Sequence, residues 1–308
     1  MPPRCPSVQR LDDLAIATAI LGPFPPLGKD PATPTCHRIL PPQQGKPLWR
    51  AFGMQTRYLE IDDLTDELRD ALEEAPAEDR ERLNRALDYS WIHHENALEG
   101  NVLTEAEIHG AMTQTVITDL ANVTLFKKIR AHHAALERAR ELVKLKRFKF
   151  NAELFDEFYQ MIFMGLDRDK GKYRKDIPLH RTYFHEIVPP EQIPERLEEV
   201  IADANSRDFR SLHPIKQAAL FGWKFMQVFP WSEASGVVGR LMSNVLLMRA
   251  GYFPVVIHAQ DRERYYQALK GSPNDLRDLL VESMENSLNG LLKFLRSMEE
   301  ERLAGRAG

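Results

Sequence analysis

Cysteine is scarce in this chain of 308 residues: Cys5 and Cys36 are the only two, both in a proline-rich start. Neither stands in a CxxC or Cys/His spacing, which excludes a disulfide scaffold and a cysteine-based zinc site and reads as free thiols in a reducing compartment. Long apolar runs are also missing. The longest near the start, Leu14 to Leu21, falls far short of the roughly 20 residues that cross a bilayer. It follows Asp12 and Asp13 rather than a basic segment, so neither a signal peptide nor a membrane span is predicted and the expected location is cytoplasmic. No charge of one sign dominates: 45 acidic against 41 basic side chains leave a net charge of -4, which argues against a nucleic-acid partner. There is no Walker loop, no GxSxG elbow and no internal repeat. What remains, 43% hydrophobic and 28% charged residues, suits one or two globular domains with a packed core.

Eleven of the 20 prolines lie within the first 47 residues, a density no helix survives. Residues 1–48 are therefore expected as an extended arm, with at most a short helix from Asp12 to Leu21. From Ile61 onward the pattern is helical. Leu64, Leu68 and Leu72 recur at i, i+4, i+8, as do Leu83, Leu87 and Trp91, with Ala75-Pro76-Ala77 between the two helices. A basic stretch, Leu125 to Phe148, carries Ile129, Leu136 and Val143 every seven residues. An anion- or RNA-binding face is one reading of it; a solvated helix facing acidic neighbours is the favoured one. Further helices are predicted at Asn151–Leu166, Glu191–Ser206, Pro214–Val228, Gly236–Ala250, Asp261–Lys270 and Leu276–Glu301. Between Arg174 and Pro189, β-branched and aromatic residues predict a short hairpin. The class is mainly α.

The chemistry concentrates at Phe229 to Arg240, a loop of small and polar residues joining two apolar helices. Pro230 stops the first, and Ser232 or Ser235 is expected to cap the second. The first turn of a buried helix offers unpaired N–H groups and a positive dipole end, and Gly236 admits a phosphate close to the backbone. Arg240 lies on the same face, leaning toward the N-terminus. Glu233 is a candidate ligand for a magnesium ion accompanying phosphates. An ordinary capped helix-loop-helix with Arg240 paired to a carboxylate is the alternative. His93-His94 and His132-His133 are adjacent pairs on different helix faces and suit metal chelation poorly.

The segment resembles the motif of the Fic (Fido) family, His-Pro-Phe-x-Asp/Glu-Gly/Ala-Asn-Gly-Arg-x-x-Arg. Pro230, Glu233, Ala234, Gly236 and Arg240 fit, and Trp231 is an aromatic at the Phe position. Gly171-Lys172-Tyr173-Arg174 resembles the family's GKYR. Leu247 to Pro254 with Arg262, Tyr265 and Tyr266 resembles the stretch after the motif helix, and Ala97-Leu98-Glu99-Gly100-Asn101 resembles the inhibitory helix. The resemblance implies a Fic-type helical bundle with a short β-hairpin flap, preceded by a helical N-terminal region. Its units are residues 1–48 (arm), 49–124 (helical, with the inhibitory-like segment near 90–101), 125–300 (core) and 301–308 (tail).

The departures bear on activity. Phe229 replaces the family's general-base His, Ser235 the Asn and Val237 the first, phosphate-binding Arg. Gly222 stands where a His is frequent, and Glu95 where a Ser/Thr precedes the inhibitory glutamate by four. No catalytic residue is assigned, and AMP transfer by the family mechanism is not expected. What the resemblance retains is a phosphate-binding helix start, Ser235, Gly236, Gly239 and Arg240, for ATP or another nucleotide with Mg2+ held at Glu233. Glu99 is its expected regulatory plug, paired with Arg240. The flap is expected to face a protein target, with His180 or His185 as a displaced base or as plain surface residues. Two functions stay open: an atypical transferase of a nucleotidyl or phosphate-containing group to protein hydroxyls, or a catalytically inert binding or regulatory module.

Overall fold

A computed structural model describes residues 49–113, 123–163, 173–178 and 185–307. The arm 1–48, its short helix, both cysteines and the middle of the expected hairpin lie outside the described residues. Eleven helices are described: α1 (Trp49–Glu74), α2 (Ala77–Leu98), α3 (Glu105–Thr113), α4 (Val123–Lys144), α5 (Ala152–Ile162), α6 (Ile193–Asn205), α7 (Arg207–Arg210), α8 (Pro214–Val228), α9 (Ser235–Arg249), α10 (Arg262–Lys270) and α11 (Pro273–Ala307). No strand occurs among the described residues, and the described flanks of the expected hairpin, 173–178 and 185–189, run without one. None of the described helices is long and apolar enough to cross a membrane.

Local chemistry explains most boundaries. Pro76 precedes α2 and separates it from α1. Asn151 caps α5 by accepting from the Leu154 amide at 2.9 Å, and Ser206 does the same for Phe209 at 3.1 Å. Helix α1 starts at Trp49 rather than near Ile61. Helix α3 was not predicted, although its signal is a capping box. The Glu107 carboxylate accepts from the Thr104 amide at 2.7 Å while the Thr104 hydroxyl accepts from the Glu107 amide at 3.3 Å.

The antiparallel pair α8 and α9 forms the centre, with α4 and α5 on one side and α1 and α11 on the other. On the first side Phe150, Phe155, Phe221 and Phe225 stack around Val238, Leu241 and Val245 of α9. On the second, Ile61 and Leu68 of α1 meet Leu280, Met284 and Leu288 of α11. Gly222 permits this centre: a Cβ there would lie 2.8 Å from the Ser243 hydroxyl. The basic helix α4 is amphipathic, as favoured from its spacing, with Ile129 and Leu136 buried. Its cations turn to carboxylates of neighbouring helices: Arg140 forks onto Asp88 of α2, and Arg138 reaches Glu157 of α5 at 2.6 Å.

Buried histidines anchor the C-terminal half of α2. His93 donates from Nδ1 to the Leu103 carbonyl at 3.0 Å. His94 accepts at Nδ1 from the Ala259 amide at 3.1 Å and stacks on His258 at 4.6 Å. Asn96 bonds the ring of His132 on α4 at 3.3 Å. Burial disfavours the charged form of all four rings: His94 is pushed down to about 2, with the neighbouring His258 and His93 adding to it. His132 is pushed down to about 4 by burial and by the charge of Arg240, and burial lowers His93 and His258 as well. Unfolded, each would titrate near the usual ~6.5. As pH falls below that value the unfolded chain takes up protons that the folded chain refuses, so stability drops with pH. Stability is therefore expected to fall from pH 7 to pH 5, by at most about 1.4 kcal/mol per pH unit for each histidine, read by calorimetry as a lower melting temperature. His94→Asn, which keeps an acceptor for the Ala259 amide, should flatten the profile; a slope identical to that of the unsubstituted protein would refute the assignment.

Candidate functional site

Helix α8 ends at Phe229, whose φ of 45° is left-handed, and Pro230 prevents continuation. Ala234 is likewise left-handed, φ 61°, and is the N-cap of α9 without a side-chain capping bond. The predicted serine cap is thus corrected. Ser232 is exposed, and the Ser235 hydroxyl accepts from the Trp231 amide at 2.8 Å and donates to the Trp231 carbonyl at 2.7 Å, closing the loop on itself. With the serine turned back, the first-turn amides of α9 have no capping side chain of their own.

A carboxylate from another helix stands there instead. A Cβ on Gly236 would lie 2.1 Å from Glu99 Oε1 and 2.9 Å from Arg240 Nη1, so the glycine leaves the space that the Glu99 carboxylate fills. Glu99 sits at the C-cap of α2, immediately before Gly100, whose φ of 90° ends the helix. The Leu98 carbonyl beside it accepts from Arg262 Nε at 2.9 Å and from the Tyr266 hydroxyl at 3.2 Å, fastening α2 to α10.

Arg240 receives both acids of this helix face. Its Nη2 lies 2.8 Å from Glu99 Oε1, and its Nε donates to Glu95 Oε2 at 2.8 Å. Nη1 is 3.3 Å from the Tyr265 hydroxyl. The expected Glu99–Arg240 pair is therefore present, and Glu95 joins it. Sequence comparison alone marked Glu95 only as a departure, although i, i+4 spacing from Glu99 put both on one face. Burial raises the Glu95 carboxyl against the pull of Arg240. Burial also works against the guanidinium, but Glu95, Tyr265 and Glu99 outweigh it and hold Arg240 well above its usual value. Behind it lies a cavity of about 20 Å³ bordered by Glu95, Ser243, Asn244 and Tyr265, the space of about one water.

The other predicted residues are placed as follows. Gly239 faces α8, where a Cβ would meet Phe225 at 2.8 Å, so helix packing requires this glycine. Glu233 is exposed in the loop. Among the described residues, the one group of three acids and histidines close enough for a metal is Asp88, His133 and Glu137, which does not include Glu233 and is already bound by Arg140. Phe229 is fully buried and Val237 nearly so. His180 lies outside the described residues. His185 is buried, its ring 6.4 Å from that of Phe229. Its Nε2 lies 2.8 Å from the Met226 carbonyl; a carbonyl only accepts, so Nε2 carries the hydrogen. Arg174 donates to the carbonyls of Phe229 at 2.8 Å and Val228 at 3.3 Å, and also to that of Val188, tying both flanks of the expected flap to the end of α8.

The Fic/DOC family profile matches residues 148–247, which span the α8–loop–α9 unit. A protein adenylyltransferase Fic of Nematostella vectensis is 28% identical over 229 residues, 72% of this chain and 52% of that protein. The corresponding protein of Drosophila virilis is 29% identical over 222 residues, 69% of this chain and 44% of its own length. The chain thus spans about half the length of the curated relatives it matches. Among solved structures, a Fic-domain-containing signaling protein from Bacteroides thetaiotaomicron superposes with a TM-score of 0.66 at 20% identity, covering 78% of this chain and 98% of that one. Residues 134–508 of Fic-1 from C. elegans give 0.68 at 20% identity, covering 80% and 73%. Motif position, helical architecture and these likenesses agree: residues 148–247 match the Fic/DOC family, and the fold around them is that of solved Fic-domain proteins.

Proposed function

We propose that this protein binds the phosphates of a nucleotide at the start of α9, in a site that its own Glu99 closes, and that it does not transfer AMP by the mechanism the Fic motif usually serves. The carrying observation is the Glu99 carboxylate itself, set over Gly236 and bonded to Arg240. An anion already occupies the uncapped helix start beside a guanidinium, the chemistry that holds a phosphoryl group. A nucleotide would compete with this internal carboxylate. The amides of the first turn and Arg240 would hold its phosphates, and Gly236 would give them room. Glu233, exposed in the adjoining loop, fits the one-carboxylate share a protein usually gives Mg2+. ATP is the nucleotide the named relatives suggest.

Catalysis is a separate matter. Phe229 offers no proton acceptor at the position of the motif base, and Val237 no charge at the first arginine. Loss of such a base costs a rate factor of about 10² to 10⁴. His185 commits its Nε2 hydrogen to Met226 and sits buried, which does not favour it as a replacement. Fully buried Phe229 instead favours the second reading, a binding or regulatory module whose flap side meets a protein partner. Atypical transfer to a protein hydroxyl would require a base from that partner.

Two experiments test this. Glu99→Ala should convert a negligible thermal shift with ATP and Mg2+ into a clear one, about 2.7 kcal/mol of added stability at ligand 100-fold above Kd; equal shifts in the two proteins would remove the plug from the account. Labelled ATP should leave no label on protein in either form. Phe229→His with Ser235→Asn and Val237→Arg should then restore transfer, but with a lower melting temperature, because Ser235 is fully buried with its hydroxyl bonded twice and overpacking there costs about 1–3 kcal/mol. A stable triple variant that binds ATP and still transfers nothing would show that more than the motif has been lost.

A further inference from the structure

The opposite end of α9 carries a second charged feature that the motif does not involve. A cleft of about 470 Å³ opens where α4 runs into the 145–151 segment and α9 ends, lined by Lys146, Arg147, Lys149, Arg210 and Arg249 with no carboxylate. In a chain of net charge -4 this is a local concentration of positive charge. It lies about 21 Å along α9 from Ser235, at 1.5 Å per residue.

The cations divide into two kinds. Arg249 and Arg210 build the wall. Arg249 Nη1 donates to the carbonyls of Leu142 at 2.7 Å and Leu145 at 2.9 Å, covering the negative end of α4 that would otherwise repel an anion. Arg210 holds the carbonyls of Asn205 and Ser206, and the Asn205 amide bonds Phe150 in both directions, at 3.0 and 2.7 Å. Lys146, Arg147 and Lys149, by contrast, are exposed, and no ion pair engages them among the described residues. The wall is bonded in place, and the three exposed cations line the same opening.

Shape and stacking select the ligand. The volume is that of a small-molecule pocket rather than a track for a long chain. Phe148, the partly exposed one of the two phenylalanines in the wall, lies under the Arg249 guanidinium at 4.8 Å and against the buried Phe150 ring at 4.9 Å, edge to face. It is therefore not a free platform on which a nucleic-acid base could stack. Recognition is left to charge alone. We propose that this cleft binds a compact, multiply charged phosphate group, either free as a polyphosphate or as a phosphorylated lipid headgroup, through Lys146, Arg147 and Lys149.

Calorimetric titration with inorganic tripolyphosphate should show saturable binding that weakens as salt rises. Lys146→Gln/Arg147→Gln/Lys149→Gln should weaken it roughly ten-fold or more with an unchanged melting temperature, since all three side chains are exposed. The titration keeps Glu99 in place, so that the start of α9 stays closed by its carboxylate and the cleft is read by itself. Cosedimentation with vesicles carrying a phosphoinositide bisphosphate, lost in the triple variant, would identify a lipid headgroup as the source; tripolyphosphate binding without cosedimentation would identify a free ligand. Undiminished tripolyphosphate binding by the triple variant overturns the proposal. So does failure of the unsubstituted protein to bind either probe, or tighter binding of an oligoglutamate peptide or single-stranded RNA through the same three residues.

Discussion

A single buried guanidinium organises the functional end of this fold. Arg240 is almost wholly removed from water, a condition that strongly disfavours charge unless partners compensate it. Two carboxylates and a tyrosine hydroxyl do so, and they come from two other helices. The start of α9, the end of α2 and α10 are thereby held in one arrangement. Taking away one partner of such a group usually costs about 3–5 kcal/mol, because a charge is left buried and uncompensated. Here one guanidinium serves two acids, so the outer one, Glu99, is the acid the cluster can release while Arg240 keeps its charge paired with Glu95.

That asymmetry sets how the site can open. Glu99 stands at a helix end next to a left-handed glycine and keeps 13% of its side chain exposed, whereas Glu95 lies one turn further in and keeps 5%. In the proposed reading, a ligand phosphate would take the place of the first without moving the second. The Arg240 guanidinium would then be shared between a phosphate and Glu95, which weakens its pull on the phosphate relative to a guanidinium with no internal partner. The buried histidines oppose any larger displacement of α2, since they bond it to the 258–261 segment and to α4.

The helices were legible because apolar spacing is a local property. Pro76, Asn151, Pro214 and Pro230 mark ends in the sequence as they do in the structure. The Thr104–Glu107 box is equally local, but the helix it starts is only nine residues long and carries little apolar periodicity. The site was legible in part. Glu99 and Arg240 could be paired from a resemblance, but the participation of Glu95 depended on the depth at which α2 docks, which is a tertiary property. Gly239 and Ser235, which the resemblance assigns to a phosphate site, also carry structural duties: a Cβ at 239 would meet the Phe225 ring, and the Ser235 hydroxyl bonds the Trp231 backbone, demands that no spacing of residues reveals.

Phe229 shows the same limit from the other side. An aromatic at a left-handed φ is strained by the order of 1 kcal/mol or more, so surrounding contacts must hold it. Arg174 supplies one, bonding the Phe229 carbonyl while also gripping Val228 and Val188. Bonds to the backbone from α8, from the 173–178 and 185–189 segments and from α9 hold this turn, and nothing in those bonds depends on which ring the turn carries. A helix start that holds the Glu99 carboxylate accordingly coexists with a neighbouring position, Phe229, whose side chain accepts no proton, so anion binding at α9 does not depend on the ring at the turn.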